Sequence, residues 1–584
     1  GSAGAIMLPP LDLALPAGGA GTASWTVAAP AAASVVWRVA AKAASGQADQ
    51  VKVTQSVLPA VPDEVLQATF FQAGSPGFPM ALPADALPGR GGVDVAVSRT
   101  MGGDLPGVRA FMAAYPYDCI EQRLSRAVAI HDRAAWDAAA AALPAYLDSE
   151  GLVRFFPADW ILGEDGLTSY ILRLSAASGW PLPEAARAPM QRGLAGFVAG
   201  QLQRSHANVL LVEKGTGRAV VADLGNDGAP RQVAALAALS MAGAVTPAMV
   251  EALNVAPDIW PTVTVIDWIG VLERVPGVAR QATRLQQADA VLRARLDPQG
   301  TTLRITRSDA PFQLLASADS TMAELLSLAS RRADWRGDAP RIARALMLAQ
   351  RRGHWDTTPA NALGTLAMRD FARAFEATPV AGVTTVSLGG AARDFGWNTA
   401  PAPQTLPWPA GRATLAVDHK GSGAPWVMVT ARAAVPLVKP FASGFSVSRK
   451  VTAVVQAVPG RWSRGDVMRV TVTVAARAPV EWVVVNDPVP GGATILGGSL
   501  GGRSQILAGT EGGAGQQPTF VERRGDAVHA HYAGLDRAPV TYEYTLRLGS
   551  VGTFRLPPTR VEALYSPEMM ARLPNAPVTV AAAK

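Results

Sequence analysis

The stretch Tyr115-Pro116-Tyr117-Asp118-Cys119-Ile120-Glu121-Gln122-Arg123-Leu124-Ser125-Arg126 decides how this chain reads, because strand-like texture stops there and a helical period begins. Pro116 suits the approach to a helix and not its interior. Ile120, Leu124 and Val128 then make an apolar stripe. Cys119 and Gln122 stand three apart in the first turn, on adjacent positions of one face. That spacing lets the thiol attack the Gln carboxamide, expel ammonia and close a small thiolactone ring, and a helix N-terminus favours the thiolate this needs. A thioester is a better acyl donor than an amide towards amines and hydroxyls. It also hydrolyses, so it needs a dry cover, for which Tyr115 and Tyr117 are the local candidates. Cys-x-x-Gln alone recurs by chance in helices, and a lone Cys is otherwise a small buried hydrophobe.

Working outward, the texture changes three times. Residues 1–105 are rich in Pro, Gly, Val and Ala, with alternating runs at Ser24–Val27, Ser34–Val39 and Val51–Thr54 that read as strands. From 108 to 376 the period is helical, with candidates at Asp132–Leu147, Gly166–Ser178, Glu184–Gln203, Ala229–Gly243, Gly277–Leu296, Thr321–Arg332 and Asn361–Ala377. About ten or more helices in series suggest hairpins arranged in a ring or solenoid. After 377 strands return, at Thr384–Ser387, Ala413–Val417, Trp426–Thr430, Val467–Val474, Val480–Val485, Ala527–Tyr532, Val540–Leu548 and Thr553–Leu556. A helical region flanked by β on both sides invites a β-sandwich built from both flanks, with the helices as an insertion.

A length of 584 residues implies about three to five domains. No apolar stretch is long enough to span a bilayer. Gly1-Ser2 has the look of a cloning scar, so any export signal or lipid anchor would lie upstream. The net charge of +7 comes from scattered Lys and Arg without basic blocks, which argues against nucleic acid. A single Cys excludes a disulfide within the chain, and six His read as widely spaced leave no zinc pattern, so no metal is expected.

The wider motif, Tyr-Pro-Tyr-x-Cys-hydrophobic-Glu-Gln, resembles the thioester signature of bacterial α2-macroglobulins, with Ile120 where Leu is usual. Gly353-His354-Trp355-Asp356-Thr357-Thr358 is similar to the family's Trp-x-x-Thr segment. Val483–Gly492 resembles its Asp-x-x-Pro-Gly strand-turn, and Gly552–Tyr565 its last strands. The resemblance implies a multidomain β + α architecture. Residues 1–58 would be part of a macroglobulin-like β-domain, and 59–107 with 377–433 a CUB-type β-domain split by insertion. Residues 108–376 would be the inserted α/α-toroid thioester domain, and 434–584 a C-terminal macroglobulin-like sandwich of receptor-binding type.

The resemblance further implies the C-terminal part of a broad-spectrum protease trap. An internal isoglutamyl-cysteine thioester between Cys119 and Gln122 would acylate surface amines of foreign or host proteases, making the protein a single-use reagent and not an enzyme, with no cofactor. Glu121 matches the motif without an assigned role. In relatives of the complement type a His takes the acyl group first. The corresponding stretch, Val220–Arg231, has none and His206 is the nearest, so direct transfer to amines is expected. The C-terminal domain is expected to cap the thioester through Leu564, which departs from the usual Met, Tyr565, and Met569 or Met570. The implied location is the periplasm, with inner-membrane anchoring left open, and the implied state a monomer. The alternative reading is a non-covalent envelope scaffold that binds a peptidoglycan synthase of the penicillin-binding type. An enzyme on the toroid of terpene cyclases is disfavoured by the missing Asp-rich and zinc motifs.

Overall fold

The computed structural model describes residues 7–582 except 17, 20, 22, 24, 26, 28–31, 33, 58, 76, 104, 205–209, 213–218, 222–227, 254, 307, 308, 310, 377, 378 and 497–514. The chain divides into two units, 1–62 and 63–584. In the first, β1 (Ser34–Lys42) and β2 (Ala48–Ser56) form an antiparallel hairpin in register from Ser34 opposite Ser56 to Lys42 opposite Ala48. The expected strand at Ser24–Val27 falls partly outside the described residues.

The second unit opens with β3 (Glu64–Gln72), β4 (Phe78–Met80) and β5 (Gly92–Ser98). Their sheet partners lie roughly 330 to 370 residues later in the sequence. Between them run the helices α1 (Pro106–Ala113), α2 (Ile120–Ala129), α3 (Arg133–Ala142), α4 (Asp165–Ser178), α5 (Glu184–Val198), α6 (Gly228–Met241) and α7 (Pro247–Glu251). They continue with α8 (Thr262–Arg274), α9 (Gln281–Ala294), α10 (Ala318–Arg331), α11 (Ala339–Ala349) and α12 (Thr358–Phe375). Two short hairpins interrupt them, β6 (Leu210–Val212) with β7 (Ala219–Val221) and β8 (Leu296–Gln299) with β9 (Thr302–Ile305). Among the described residues no helix is long and apolar enough to cross a membrane.

Contacts among the even-numbered helices run α2–α4–α6–α8–α10–α12 and return to α2, while α3, α5, α9 and α11 pack beside neighbours of that ring. Ala-rich α6 and Gly364 of α12 permit the close approach: a Cβ on Gly364 would lie 2.5 Å from the Trp355 ring. Helix α8 was not among the expected helices. Its Thr262-Val-Thr-Val-Ile-Asp-Trp-Ile run is β-branched, and buried residues on every face leave it no polar stripe from which a 3.6-residue period could be read. Helix α11 was not among the examples named from the sequence either, although it is amphipathic.

After the helices come β10 (Ala381–Leu388), β11 (Ala391–Gly396), β12 (Gln404–Leu406), β13 (Ala413–Ser422) and β14 (Trp426–Ala433). They join β3–β5 in two four-stranded sheets, ordered β11-β10-β13-β4 and β12-β5-β14-β3. Alternate residues Val93, Val95, Val427, Val429 and Leu415 fill the core between them. The helical region is therefore an insertion between strands of one sandwich, which holds the beginning of α1 and the end of α12 together.

The last region contains β15 (Phe441–Ser443), β16 (Phe445–Val455), β17 (Trp462–Ser463), β18 (Val467–Ala476), β19 (Val480–Pro488), β20 (Ala493–Leu496), β21 (Phe520–Arg523) and β22 (Ala527–Leu535). It ends with β23 (Val540–Leu548), β24 (Gly552–Phe554), β25 (Thr559–Ala563), β26 (Met570–Leu573) and β27 (Val578–Ala581). A six-stranded sheet, β15-β26-β25-β19-β22-β21, faces a four-stranded one, β16-β18-β23-β20, over Val470, Val472, Val485, Tyr544, Leu546 and Val561. Asp487, from the strand-turn noted in the sequence, is buried, paired with Arg449 at 2.9 Å and hydrogen-bonded by Tyr544 and Thr559. A buried carboxylate with this many donors ties strands of both sheets together.

Candidate functional site

Cys119 is the N-cap of α2, with extended backbone, and Gln122 is its third helical residue. The arrangement is a capping box in which Gln122 presents its backbone N–H to the Cys119 side chain. The carboxamide turns back in the other direction, and Gln122 Oε1 accepts from the Cys119 N–H at 3.0 Å. Thiol and carboxamide thus share the first turn of one helix. Both residues are buried, and Gln122 Nε2 has no hydrogen-bond partner. Burial pushes the Cys119 thiol well above its ordinary range, reinforced by the Glu121 carboxylate, while N–H groups of Gln122 and Glu121 pull the other way. Contrary to the sequence expectation, desolvation outweighs the helix terminus, and the enclosed site disfavours a thiolate.

Glu121 has a role that the sequence did not disclose. Fully buried, its carboxylate accepts from Ser125 Oγ (2.6 Å) on its own helix, from Thr358 Oγ1 (2.9 and 3.0 Å) at the start of α12, and from Tyr565 Oη (2.9 Å) beyond β25. It joins the first and last helices of the ring to the C-terminal sandwich. Burial raises its pKa, and the three donors oppose that rise. Thr358 is the last residue of the Trp-x-x-Thr segment, and Trp355 anchors that segment by donating from Nε1 to the Leu346 carbonyl at 2.8 Å.

Residues of both domains pack around this helix start. Tyr117 is buried and donates to Glu562 Oε2 at 2.7 Å, and Tyr115 packs edge-on between Phe111 and Tyr117. Tyr565 is buried, and Leu564 packs partly buried against the helical core. Met569 does not join them: its side chain packs on the sandwich core and against Gly444, because the turn at Ser566–Met569 directs it back to its own domain. Two residues packed beside the start of α2 escaped sequence reading. Phe155 accepts the Ile120 N–H through its carbonyl at 3.1 Å, and its ring lies 4.3 Å from that of Trp482. Trp482 has φ of +49°, in the left-handed region, and interrupts the pairing of β19 with β22 between Glu481 and Val483. The register is unchanged on either side, with Glu481 opposite Gly534 and Val483 opposite Tyr532, and with this left-handed backbone the indole joins the helical core. A backbone change at one residue leaves no mark in a run of valines, so Val480–Val485 read as an ordinary strand.

Further contacts close the seam. Phe156 stacks on Phe520 at 4.2 Å, Trp160 donates to the Thr519 carbonyl at 3.1 Å, and Arg524 donates to the Pro116 carbonyl at 3.2 Å. His529 and His531 lie edge-on to Tyr117, at 5.7 and 6.3 Å between ring centres. They form a cluster with Glu522, which corrects the sequence reading that the His are all widely spaced. The adjacent pair His529-x-His531 was the signal available. Burial drives His531 down to about 4. Among the described residues no His hydrogen-bonds Cys119. His206 and most of the stretch compared with the complement His lie outside the described residues.

Residues 444–568 match the family model for the bacterial alpha-2-macroglobulin MG10 domain. Over its length the chain is similar to the native conformation of Escherichia coli alpha-2-macroglobulin, at 17% identity and TM-score 0.68, covering 91% of this chain and 34% of that one. It is similar also to a native E. coli alpha-2-macroglobulin structure spanning domain MG7 to the C-terminus, at 17% identity and TM-score 0.67, covering 94% and 88%. A third similar structure is Salmonella alpha-2-macroglobulin reacted with methylamine, at 16% identity and TM-score 0.67, covering 92% and 34%. At these identities the likeness is one of fold. The chain spans about a third of the length of the first and third of these proteins. None of the curated proteins matches it.

Proposed function

Taking as premise a chain with a bacterial alpha-2-macroglobulin MG10 domain and the fold of these proteins from MG7 to the C-terminus, we propose that it carries an internal Cys119–Gln122 thioester for covalent capture of proteases. The ring of helices is read as the α/α-toroid thioester domain inserted in a CUB-type sandwich. In closure, Cys119 Sγ attacks Gln122 Cδ, the C–N bond breaks, and the amide nitrogen leaves as ammonia with the thiol proton. In capture, an amine of the attacking protease displaces Cys119 Sγ, forming an amide at residue 122 and returning the thiol.

The observation that carries this reading is the orphaned Gln122 Nε2. A buried amide N–H2 without acceptors costs about 1–3 kcal/mol, and it is the one atom that thioester closure removes. The burial that penalises a thiolate leaves a neutral thioester untouched. It also discourages reaction in the closed state, because the departing group would be that thiolate. Opening the cover to water lowers this penalty, so exposure arms the acyl donor. The chain is read as a single-use reagent and not an enzyme, without a cofactor, directed at protease amines in the periplasm.

Intact mass tests the proposal. Protein purified without amines should weigh one ammonia less than its sequence and show no reactive thiol until methylamine is added. It should then gain one methylamine and one thiol. A free thiol at Cys119 together with an unmodified amide at Gln122 overturns the reading. A free thiol with residue 122 deamidated is the hydrolysed form of the same site and supports it.

A further inference from the structure

The geometry points to a divalent transition-metal site of the zinc class, built by Glu522, His529 and His531 on the face of their sheet opposite the sandwich core, beside Tyr117. In β22 successive side chains alternate between faces, so His529 and His531, two apart, point the same way. Glu522 of β21 stands directly opposite His529 in the antiparallel register and shares that face. One ligand atom from each of the three lies within 4.8 Å of the others. Glu522 Oε2 is 3.2 Å from His529 Nδ1, and Glu522 Oε1 is 4.0 Å from His531 Nε2. Ligand bonds of about 2.0–2.2 Å around tetrahedral zinc put neighbouring ligand atoms roughly 3–3.5 Å apart. Small side-chain rotations therefore close the set.

A second observation points to a ligand. His531 is 1% exposed, yet neither of its ring nitrogens has a hydrogen-bond partner. A buried imidazole in that state has forfeited its water without replacement, and a metal ion is a partner for one nitrogen. Two imidazoles and one carboxylate are the borderline donors that suit Zn²⁺ and its neighbours, while Ca²⁺ and Mg²⁺ prefer oxygen alone. Arg524 orients the carboxylate, donating to Glu522 Oε2 at 2.8 Å and, through its other terminal nitrogen, to the Pro116 carbonyl. An ion here would clamp β21 to β22, the strands whose Phe520 and His531 press on Phe156. The site does not depend on whether Cys119 is free or acylated.

The test is zinc content of the full chain, stripped with chelator, reloaded with zinc chloride and passed through a desalting column. One zinc per chain is expected, falling to none in His529→Phe and His531→Phe, whose rings keep the aromatic packing. His419→Ala, in the split sandwich, should retain one. Cobalt in place of zinc should give visible d–d bands that the two Phe variants abolish. No retained zinc in the parent chain, or zinc retained by both Phe variants, overturns the proposal. Should a histidine variant not fold, judged by circular dichroism, Glu522→Gln carries the test, and undiminished zinc content there overturns it equally.

Discussion

Tyr565→Phe isolates the hydrogen bond that ties the C-terminal sandwich to the reactive helix. The substitution keeps the ring and removes one hydroxyl, which donates to Glu121 Oε2 at 2.9 Å. Glu121 is then left with Ser125 and Thr358 as donors to a carboxylate that has no solvent. A hydrogen bond to a charged group contributes about 1.5–3 kcal/mol, so a closed cover weakened by about 2 kcal/mol opens roughly 30-fold more often. Because Cys119 is enclosed, a small reagent reaches it only through that opening. Methylamine-driven thiol release in protein with a closed thioester, or alkylation by an uncharged maleimide where the thiol is free, should each accelerate by about that factor if reclosing is fast compared with reaction. Tyr532→Phe is the control, since that buried hydroxyl has no partner and its loss should leave the rate alone. An unchanged rate in Tyr565→Phe, or an equal acceleration in Tyr532→Phe, would refute the claim that this bond holds the cover shut.

Two further outcomes follow from the packing and charges. Gly364→Ala on α12 would press a methyl 2.5 Å from the immobile Trp355 ring, and overpacking of about 1–3 kcal/mol should exceed the roughly 1 kcal/mol that Ala gains over Gly in a helix. A denaturation midpoint equal to or above that of the parent, at unchanged slope, would show that the ring yields. Burial and the neighbouring Asp356 carboxylate push Asp319 up to about 7, so the folded state holds a proton that the unfolded chain releases. The resulting stability is complete below about pH 4 and is lost as pH rises towards and through 7. Asp319→Asn should flatten this decline in melting temperature, and an identical slope in parent and variant would exclude Asp319 as its source.

Much of the fold was legible in the chain. Alternation of apolar with polar residues announced strands such as β18 and β23, and apolar residues three and four apart announced α4, α5, α6 and α10. What could not be read was where burial erased the pattern, as in α8, or where one residue broke a ladder, as at Trp482. In the site, Cys119, Glu121 and Gln122 stood out because three residues of one helical turn are neighbours by covalent geometry alone. Tyr565 and Met569 lie in the same short segment, yet Tyr565 bonds Glu121 and Met569 packs on its own sandwich. A single turn of chain sends one side chain to each domain.

By itself, then, the sequence determined the local chemistry: a thiol and a carboxamide one turn apart at a helix start, and the succession of β, α and β. Periodicity and spacing act over a few residues, and they survive in any tertiary context. Only the tertiary structure decided what that chemistry experiences. Glu121 finds Tyr565 across 444 residues, Phe155 finds Trp482, and Glu522, His529 and His531 converge beside Tyr117. Burial of the thiol is likewise a product of two domains meeting. Desolvation depends on everything within several ångströms, whatever its distance along the chain, and for Cys119 it reversed the effect of the helix terminus on which the sequence reading had relied.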